Sequence, residues 1–402
     1  GANAEKDFRN EANTFGFIVE IDPLAPNSTP AKRTAMGRFA HEAAVCGVPK
    51  AGEPLAFYMG CDSRNEYIYK FVTAAVWDPR DVGAGMVAGD KYLSEGKLYA
   101  ARFDATGQGE WLELTITDPR IANHSTYQFA NQGDVFINAR FAADAVGATK
   151  MDRPEWGAVN YRNGEVYFAL TNNNAANRTP TKVDAANPRA YMDLDGKKGT
   201  GNPHGHIIRF KEPGHQATAK TFAWDIFLFG AEEDSGDANL SGLTAKNSFS
   251  SPDGLWFSKA TGLCWIQTDD GAFTDETNCM MLAAIPGQVG DGGKVTVKNK
   301  MMVGGVEQNG TQESFLGAAL GEAKLRRFLV APQGAEVTGI TETADGRTLF
   351  VNIQHPGELS KPLSSGQAPQ SMWPGNQGYG PAGRPRSATI VITRTDGGVI
   401  GL

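Results

Sequence analysis

Apolar runs of about five to seven residues, set between turn-rich polar stretches, recur along the whole chain and predict many short strands. Phe15–Pro23 reads as a strand stopped by its proline, with Arg33–Phe39 as its antiparallel partner. Further strands are predicted at Tyr67–Val72 and Lys97–Phe103, at His206–Phe210 and Phe222–Leu228, at Met280–Ile285 and Lys294–Val297, and at Ala388–Thr393. An alanine-rich stretch, Phe136–Ala145, predicts a helical insertion within 119–150, and 231–250 a polar one. Residues 305–330 read as a loop with one helix, and 357–387, rich in Gly, Pro, Ser and Gln, as a long loop. Residues 1–13 are polar and coil-like and are expected to be disordered or loosely docked.

Inside this pattern one arrangement returns four times. An acid opens an apolar run, a turn follows, and a second run ends in polar side chains. Glu42 leads to Asp62, Glu155 to Asn172, Asp253 to Asp269 and Glu336 to Gln354, at separations of 20, 17, 16 and 18 residues. Two strands of five to seven residues joined by a turn bring the chain back to the end where it began, so each acid and its polar stop share one end of a hairpin. The acids lie 113, 98 and 83 residues apart. Such large, irregular periods predict an all-β propeller whose innermost strands converge on an axis, with loop and small helical insertions between blades. Approximate blades are 14–40 (partial), 41–118, 151–230, 250–304 and 333–402, about four and a half in a single domain over 1–402. Four converging carboxylates repel and resist ionisation, a conflict that metal cations resolve.

Composition adds limits. With 402 residues one all-β domain can bury a large core, and 48 Gly and 21 Pro suit a fold with many turns. The net charge of −7 with scattered basic residues argues against a nucleic-acid surface. No apolar run reaches the length that spans a bilayer, and Arg326-Arg327 is internal and reads as a strand entrance, so neither membrane insertion nor an export signal is expected among these residues. Of the four cysteines, Cys264 and Cys279 fall on consecutive predicted strands, where a disulfide or two buried thiols would fit.

Glu42, Arg153-Pro154-Glu155, Ser251-Pro252-Asp253-Gly254-Leu255-Trp256, Ala335-Glu336-Val337-Thr338-Gly339, Asn352-Ile353-Gln354-His355-Pro356-Gly357 and Arg384-Pro385-Arg386-Ser387-Ala388-Thr389 together resemble the PhoX-type alkaline phosphatases. Phe15–Pro23 and Arg64–Phe71 are similar to that family as well. The resemblance spans nearly the whole chain. It implies a β-propeller, usually six-bladed, with a cluster of calcium and iron on its axis. It also implies a bacterial hydrolase that cleaves small phosphomonoesters at alkaline pH, exported through the twin-arginine route to the periplasm or beyond; a monomer is expected. Glu42, Asp62, Glu155, Asp253 and Glu336 fall at metal-ligand positions of the family, and Arg153 at the arginine that holds substrate phosphate. The family's iron-binding cysteine belongs to an upstream segment with no counterpart here, while Cys61 stands where many relatives carry Asp. Ca²⁺ is therefore the expected cation and Fe³⁺ a secondary one, and an N-terminal portion of the family architecture is expected to be absent.

The residues themselves point the same way. Carboxylate and amide oxygens without clustered imidazole or thiolate select hard cations such as Ca²⁺. The plain alternative for each acid is a turn cap at a strand entrance; four in register favour metal. Arg153 offers a planar fork for two phosphate oxygens, or else a salt bridge to Glu155 or Asp152. His355, after Gln354, would contact the cluster, donate a proton, or serve structure alone. His204 and His206 straddle Gly205 and read either as a metal pair or as hydrogen-bonded surface residues; His41, beside Glu42 but pointing the opposite way, reads as support behind the metal ligands or as packing. Asp269-Asp270 would add calcium ligands or form a turn. The competing function is a calcium-stabilised propeller that binds a ligand or partner without catalysis.

Overall fold

The computed structural model describes residues 8–193, 199–269, 271, 273, 276–375 and 383–402. Asp270 and the first seven residues, for which expectations were stated, lie outside them, as do 376–382 of the expected long loop. The chain is mostly β with few helices, and no helix among the described residues is long and apolar enough to cross a membrane. It divides into two compact units, Gly1–Asp104 with Gln108–Gly157 and Lys211–Ala223, and Ala105–Gly107 with Ala158–Phe210 and Trp224–Leu402.

The first unit is an antiparallel meander of His41–Cys46, Pro54–Cys61, Ile68–Val76, Gly96–Phe103 and Gln108–Glu113, each paired with the next. Both faces of the central strand are covered: Ile68 through Thr73 are all buried. Met59, Tyr69, Phe71, Leu98 and Ala100 meet Val135, Ala139, Ala142 and Val146 from the helices Gln132–Ile137 and Ala139–Val146, the helical insertion that the alanine-rich stretch predicted. Burying such apolar groups stabilises by about 1.5–3 kcal/mol for each large side chain.

The N-terminal hairpin is shorter than the sequence predicts. Only Val19–Glu20 and Ala31–Lys32 pair, and Thr34–Met36 forms a 3-10 turn in place of a strand. Phe15, Val19 and Ile21 remain exposed. Pro23, Pro26 and Pro30 remove three backbone donors from the connecting loop, so the apolar run finds almost no ladder to join.

The second unit holds three further antiparallel groups. Glu165–Leu170 pairs with His206–Lys211, which in turn pairs with Thr221–Phe229. Pro252–Phe257, Cys264–Thr268, Met280–Ala284 and Leu325–Val330 form a four-stranded meander. Glu336–Glu342, Thr348–Gln354 and Ala388–Thr393 form a three-stranded one. In Thr348–Gln354 the alternation is visible in the burial of Leu349, Val351 and Ile353, which pack with Trp265, Met281 and Val337.

The third group corrects the sequence reading. Its last strand is Leu325–Val330, not Lys294–Val297. The latter belongs to Gly293–Val303, whose partner is Val306–Leu316 in an eleven-residue ladder inside the region read as loop. Val306–Leu316 is polar at most positions and half of it faces solvent, so only its partner, and no apolar pattern of its own, reveals it as a strand. Cys264 and Cys279 are free thiols. Antiparallel register sets Cys264 opposite Ala284, while Cys279 precedes Met280 at the other end of that strand, which rules out the bridge.

Candidate metal centres

Hairpin register brings three of the four acids to their polar stops. Glu42 pairs with Gly60, Pro252 before Asp253 pairs with Thr268 before Asp269, and Glu336 pairs with Gln354. All three entering strands carry a β-bulge just beyond: Ala43-Ala44 oppose one residue, as do Asp253-Gly254 and Thr338-Gly339. Ala43 and Gly339 adopt the left-handed conformation at φ 69° and 59°. The bulge lets the acid end of the strand turn independently of the apolar end that packs in the core. No alternation rule would have found it.

In the first unit Glu42, Asp62 and Glu155 each present an oxygen within 4.8 Å of the other two. Close backbone approach makes this triad: a Cβ on Gly60 would lie 2.5 Å from the Glu155 carbonyl oxygen, so only glycine admits the Pro154-Glu155 segment. Arg153 precedes it in the left-handed conformation, φ 60°, at the kink between Met151–Asp152 and Pro154–Asn160. Such backbone costs about 1–3 kcal/mol and persists where surroundings enforce it. Here they do: Arg153 Nε donates to Asp62 Oδ1 at 2.6 Å, and Nη2 lies 3.3 Å from Asp62 Oδ2 and from Glu155 Oε1. The expected contact with Glu155 therefore forms, and Asp62 joins it. Burial and the charge of Asp62 raise the pKa of Glu42, against the opposing pull of Arg153 and a hydrogen bond from Trp156. Arg64, not singled out in the sequence, sits close enough to Arg153, Asp152 and Asp62 to feel all three charges. His41 packs as expected, stacked on Phe39 with Nε2 3.0 Å from the Gly37 carbonyl.

In the second unit Asp253, Asp269 and Glu336 form a second triad within the same 4.8 Å limit. Asp269, weighed equally as a turn residue, is therefore part of a carboxylate group. Its backbone is fixed by donation from Asp269 N to Ser251 O, 3.1 Å. Gln354 Nε2 donates to Glu336 Oε2 at 2.9 Å, and His355 Nε2 lies 3.2 Å from the same oxygen. Burial and the neighbouring Asp269 push Glu336 up to about 7. Burial works against the His355 imidazolium, but Glu358, the Gly334 carbonyl and Glu336 outweigh it and raise its pKa.

Both triads fit a hard cation: every donor is a carboxylate oxygen, and burial together with the neighbouring carboxylate makes Glu42 and Glu336 resist ionisation. A consequence is testable. In chain stripped with a chelator, Glu336 binds its proton more tightly folded than unfolded between pH 4.5 and about 7. Stability should then fall by on the order of 2 kcal/mol as pH rises across that window, and calcium should remove the slope. Denaturant unfolding of the stripped chain at a series of pH values checks this, with Asp253, Asp269 and His355 facing Glu336 and Glu358 acting on His355; a stability that climbs through the window contradicts it.

His204 and His206 are not surface residues, since both are fully buried. His206 is spent on the Ala186 carbonyl, 2.9 Å, and on Asn202, 3.1 Å. His204 instead joins Asp193 and Glu232, two residues that no motif had marked.

A family profile described as alkaline phosphatase PhoX matches residues 1–357. Among solved structures, Pseudomonas fluorescens PhoX in complex with vanadate, a transition state analogue, is similar to this chain at 36% identity and a TM-score of 0.72. The match covers 99% of this chain and 61% of that one, so the chain spans about three fifths of that relative's length. A comparison with curated protein sequences found no match.

Proposed function

Because the chain belongs to the PhoX alkaline phosphatase family, we propose that it is a metal-dependent hydrolase of small phosphomonoesters, with Arg153 as its phosphate-holding cation. Glu42, Asp62 and Glu155 would hold a cation beside Arg153, and Asp253, Asp269 and Glu336 would hold another. Oxygen-only donors make Ca²⁺ the first expectation; Fe³⁺ is the second ion that the family resemblance implies. A bound cation supplies Lewis acidity that polarises phosphoryl oxygens.

The observation that carries this reading is the placement of Arg153. Its guanidinium is fixed by Asp62 and Glu155, is 29% exposed, and so can face an anion drawn to a cation that these carboxylates would hold. A planar, permanently charged fork orients two phosphoryl oxygens and stabilises the charge that grows on them. Asp62 fixes the direction of the fork, since it receives donation from Nε. Each meander is read as a propeller blade, and the family's six blades, its export to the periplasm or beyond, and a monomeric state are part of the same proposal.

A second reading is a calcium-stabilised binding protein without catalysis. It is favoured by the same contacts, because Nε and Nη2 of Arg153 are already engaged by Asp62 and Glu155. Metal analysis beside p-nitrophenyl phosphate turnover at alkaline pH, with and without chelator, separates them. Chelator-sensitive turnover is the expected result; bound calcium with no turnover supports the second reading.

A further inference from the structure

Asp193, His204 and Glu232 form a third group, apart in composition from the two carboxylate triads. Asp193 ends the strand Tyr191–Asp193, His204 precedes His206–Lys211, and Glu232 follows Thr221–Phe229. Each offers a ligand atom within 4.8 Å of the other two. Their exposures are 6%, 0% and 4%. Two carboxylates brought together in the interior need positive charge, and water cannot supply the screening.

The imidazole is oriented for this. His204 Nδ1 lies 2.8 Å from Ser250 Oγ, and Nε2 lies 3.6 Å from Asp193 Oδ2, beyond hydrogen-bond range. With the ring proton on Nδ1 donated to Ser250, Nε2 turns its lone pair toward the carboxylates. A histidine whose far nitrogen is anchored by an oxygen is the usual arrangement at a metal.

Two further observations bear on the site. Tyr191 is buried and its Oη has no hydrogen-bond partner among the described residues, while it feels the charges of Asp193 and Glu232. The His204 backbone is near enough to temper that phenol without reaching hydrogen-bond geometry. Glu232 also lines two cavities, of about 440 Å³ with Tyr191, Asp193 and Asp234, and of about 170 Å³ with Glu233, Glu276 and Arg327. Their acidic walls draw cations inward. Arg189, also buried, stacks over Tyr191 at 5.0 Å and donates to Asn202, Ala238 O and Gly205 O.

We propose that Asp193, His204 and Glu232 bind one divalent transition cation of the zinc class, clamping three chain segments together. An imidazole with two carboxylates suits such ions, whereas the all-oxygen triads suit calcium. The site does not depend on the phosphatase reading. To test it, the full chain is stripped with chelator, then given equimolar Zn²⁺ under excess Ca²⁺. Anomalous diffraction at the zinc edge should show a peak bounded by His204 Nε2, Asp193 and Glu232. His204→Gln and Glu232→Gln should each lose one zinc per chain by mass spectrometry, keep their calcium, and lose the rise in unfolding midpoint that zinc gives the wild type. If a variant does not fold, diffraction from the wild-type chain decides. A zinc peak only elsewhere, no retained zinc, or unchanged zinc content in folded variants overturns the proposal.

Discussion

Replacing Arg153 with alanine is expected to lower p-nitrophenyl phosphate turnover by about a hundred- to a thousand-fold, the range seen when one preorganised donor to transition-state charge is lost. Calcium content should not change, because the six oxygen-donor residues, Glu42, Asp62, Glu155, Asp253, Asp269 and Glu336, all remain. Arg153→Lys sharpens the argument. Lysine keeps the charge but loses the fork, so it should restore little of the rate while it still lies against Asp62 and Glu155. The fall should appear in kcat/KM, with calcium binding and unfolding midpoint measured alongside. Wild-type turnover in Arg153→Ala would remove Arg153 from the chemistry and leave it the role of a salt bridge.

The second large effect concerns folding of the first unit. Lys70 and Glu212 are both buried, with Lys70 Nζ 2.5 Å from Glu212 Oε1. Trp111 Nε1 donates to the same oxygen at 2.7 Å, Tyr58 Oη to Oε2 at 2.7 Å, and Lys70 Nζ also to the Ala219 carbonyl at 2.8 Å. Burial lowers the Lys70 pKa to about 8, so the ammonium depends on this carboxylate for its charge. Glu212→Ala takes the carboxylate away from three donors, one of them charged and left with the Ala219 carbonyl in place of a counter-ion. A cost of about 3–5 kcal/mol is expected, as for other buried pairs broken on one side. Joint replacement by Lys70→Met and Glu212→Leu should cost much less, since no charge is then left behind. Chemical denaturation of the three chains checks the pattern. A single-variant loss under about 1 kcal/mol would mean that water reaches Lys70 and replaces its partner.

Much of the site was legible because the hairpin is local. Glu42, Glu155, Asp253 and Glu336 all open strands that return after one turn, so spacing alone placed acid and polar stop at one end. What spacing could not supply was grouping. Asp269 joins Asp253 and Glu336, while Asp62 joins Glu42 and Glu155, and those sets depend on tertiary pairing. Asp193 and Glu232 sit at strand ends with no repeating neighbour, so nothing in the pattern marked them. Among the strands, Val306–Leu316 was invisible because its ladder, not its apolar content, holds it, and Phe15–Pro23 was overcalled because apolar content without a ladder is not enough.

The bulges after Glu42, at Asp253 and after Glu336 also separate two evolutionary pressures. A strand of strict alternation ties every side chain to one rhythm, so any shift that improves packing would drag the acid with it. An extra residue between them acts as a slip joint. Apolar positions beyond the bulge, such as Ile340 opposite Val351, can drift with the interior, while the acid-bearing ends keep their own setting. The same joint lets a lineage trade one acid for another at the mouth of a hairpin without redesigning what lies beneath it.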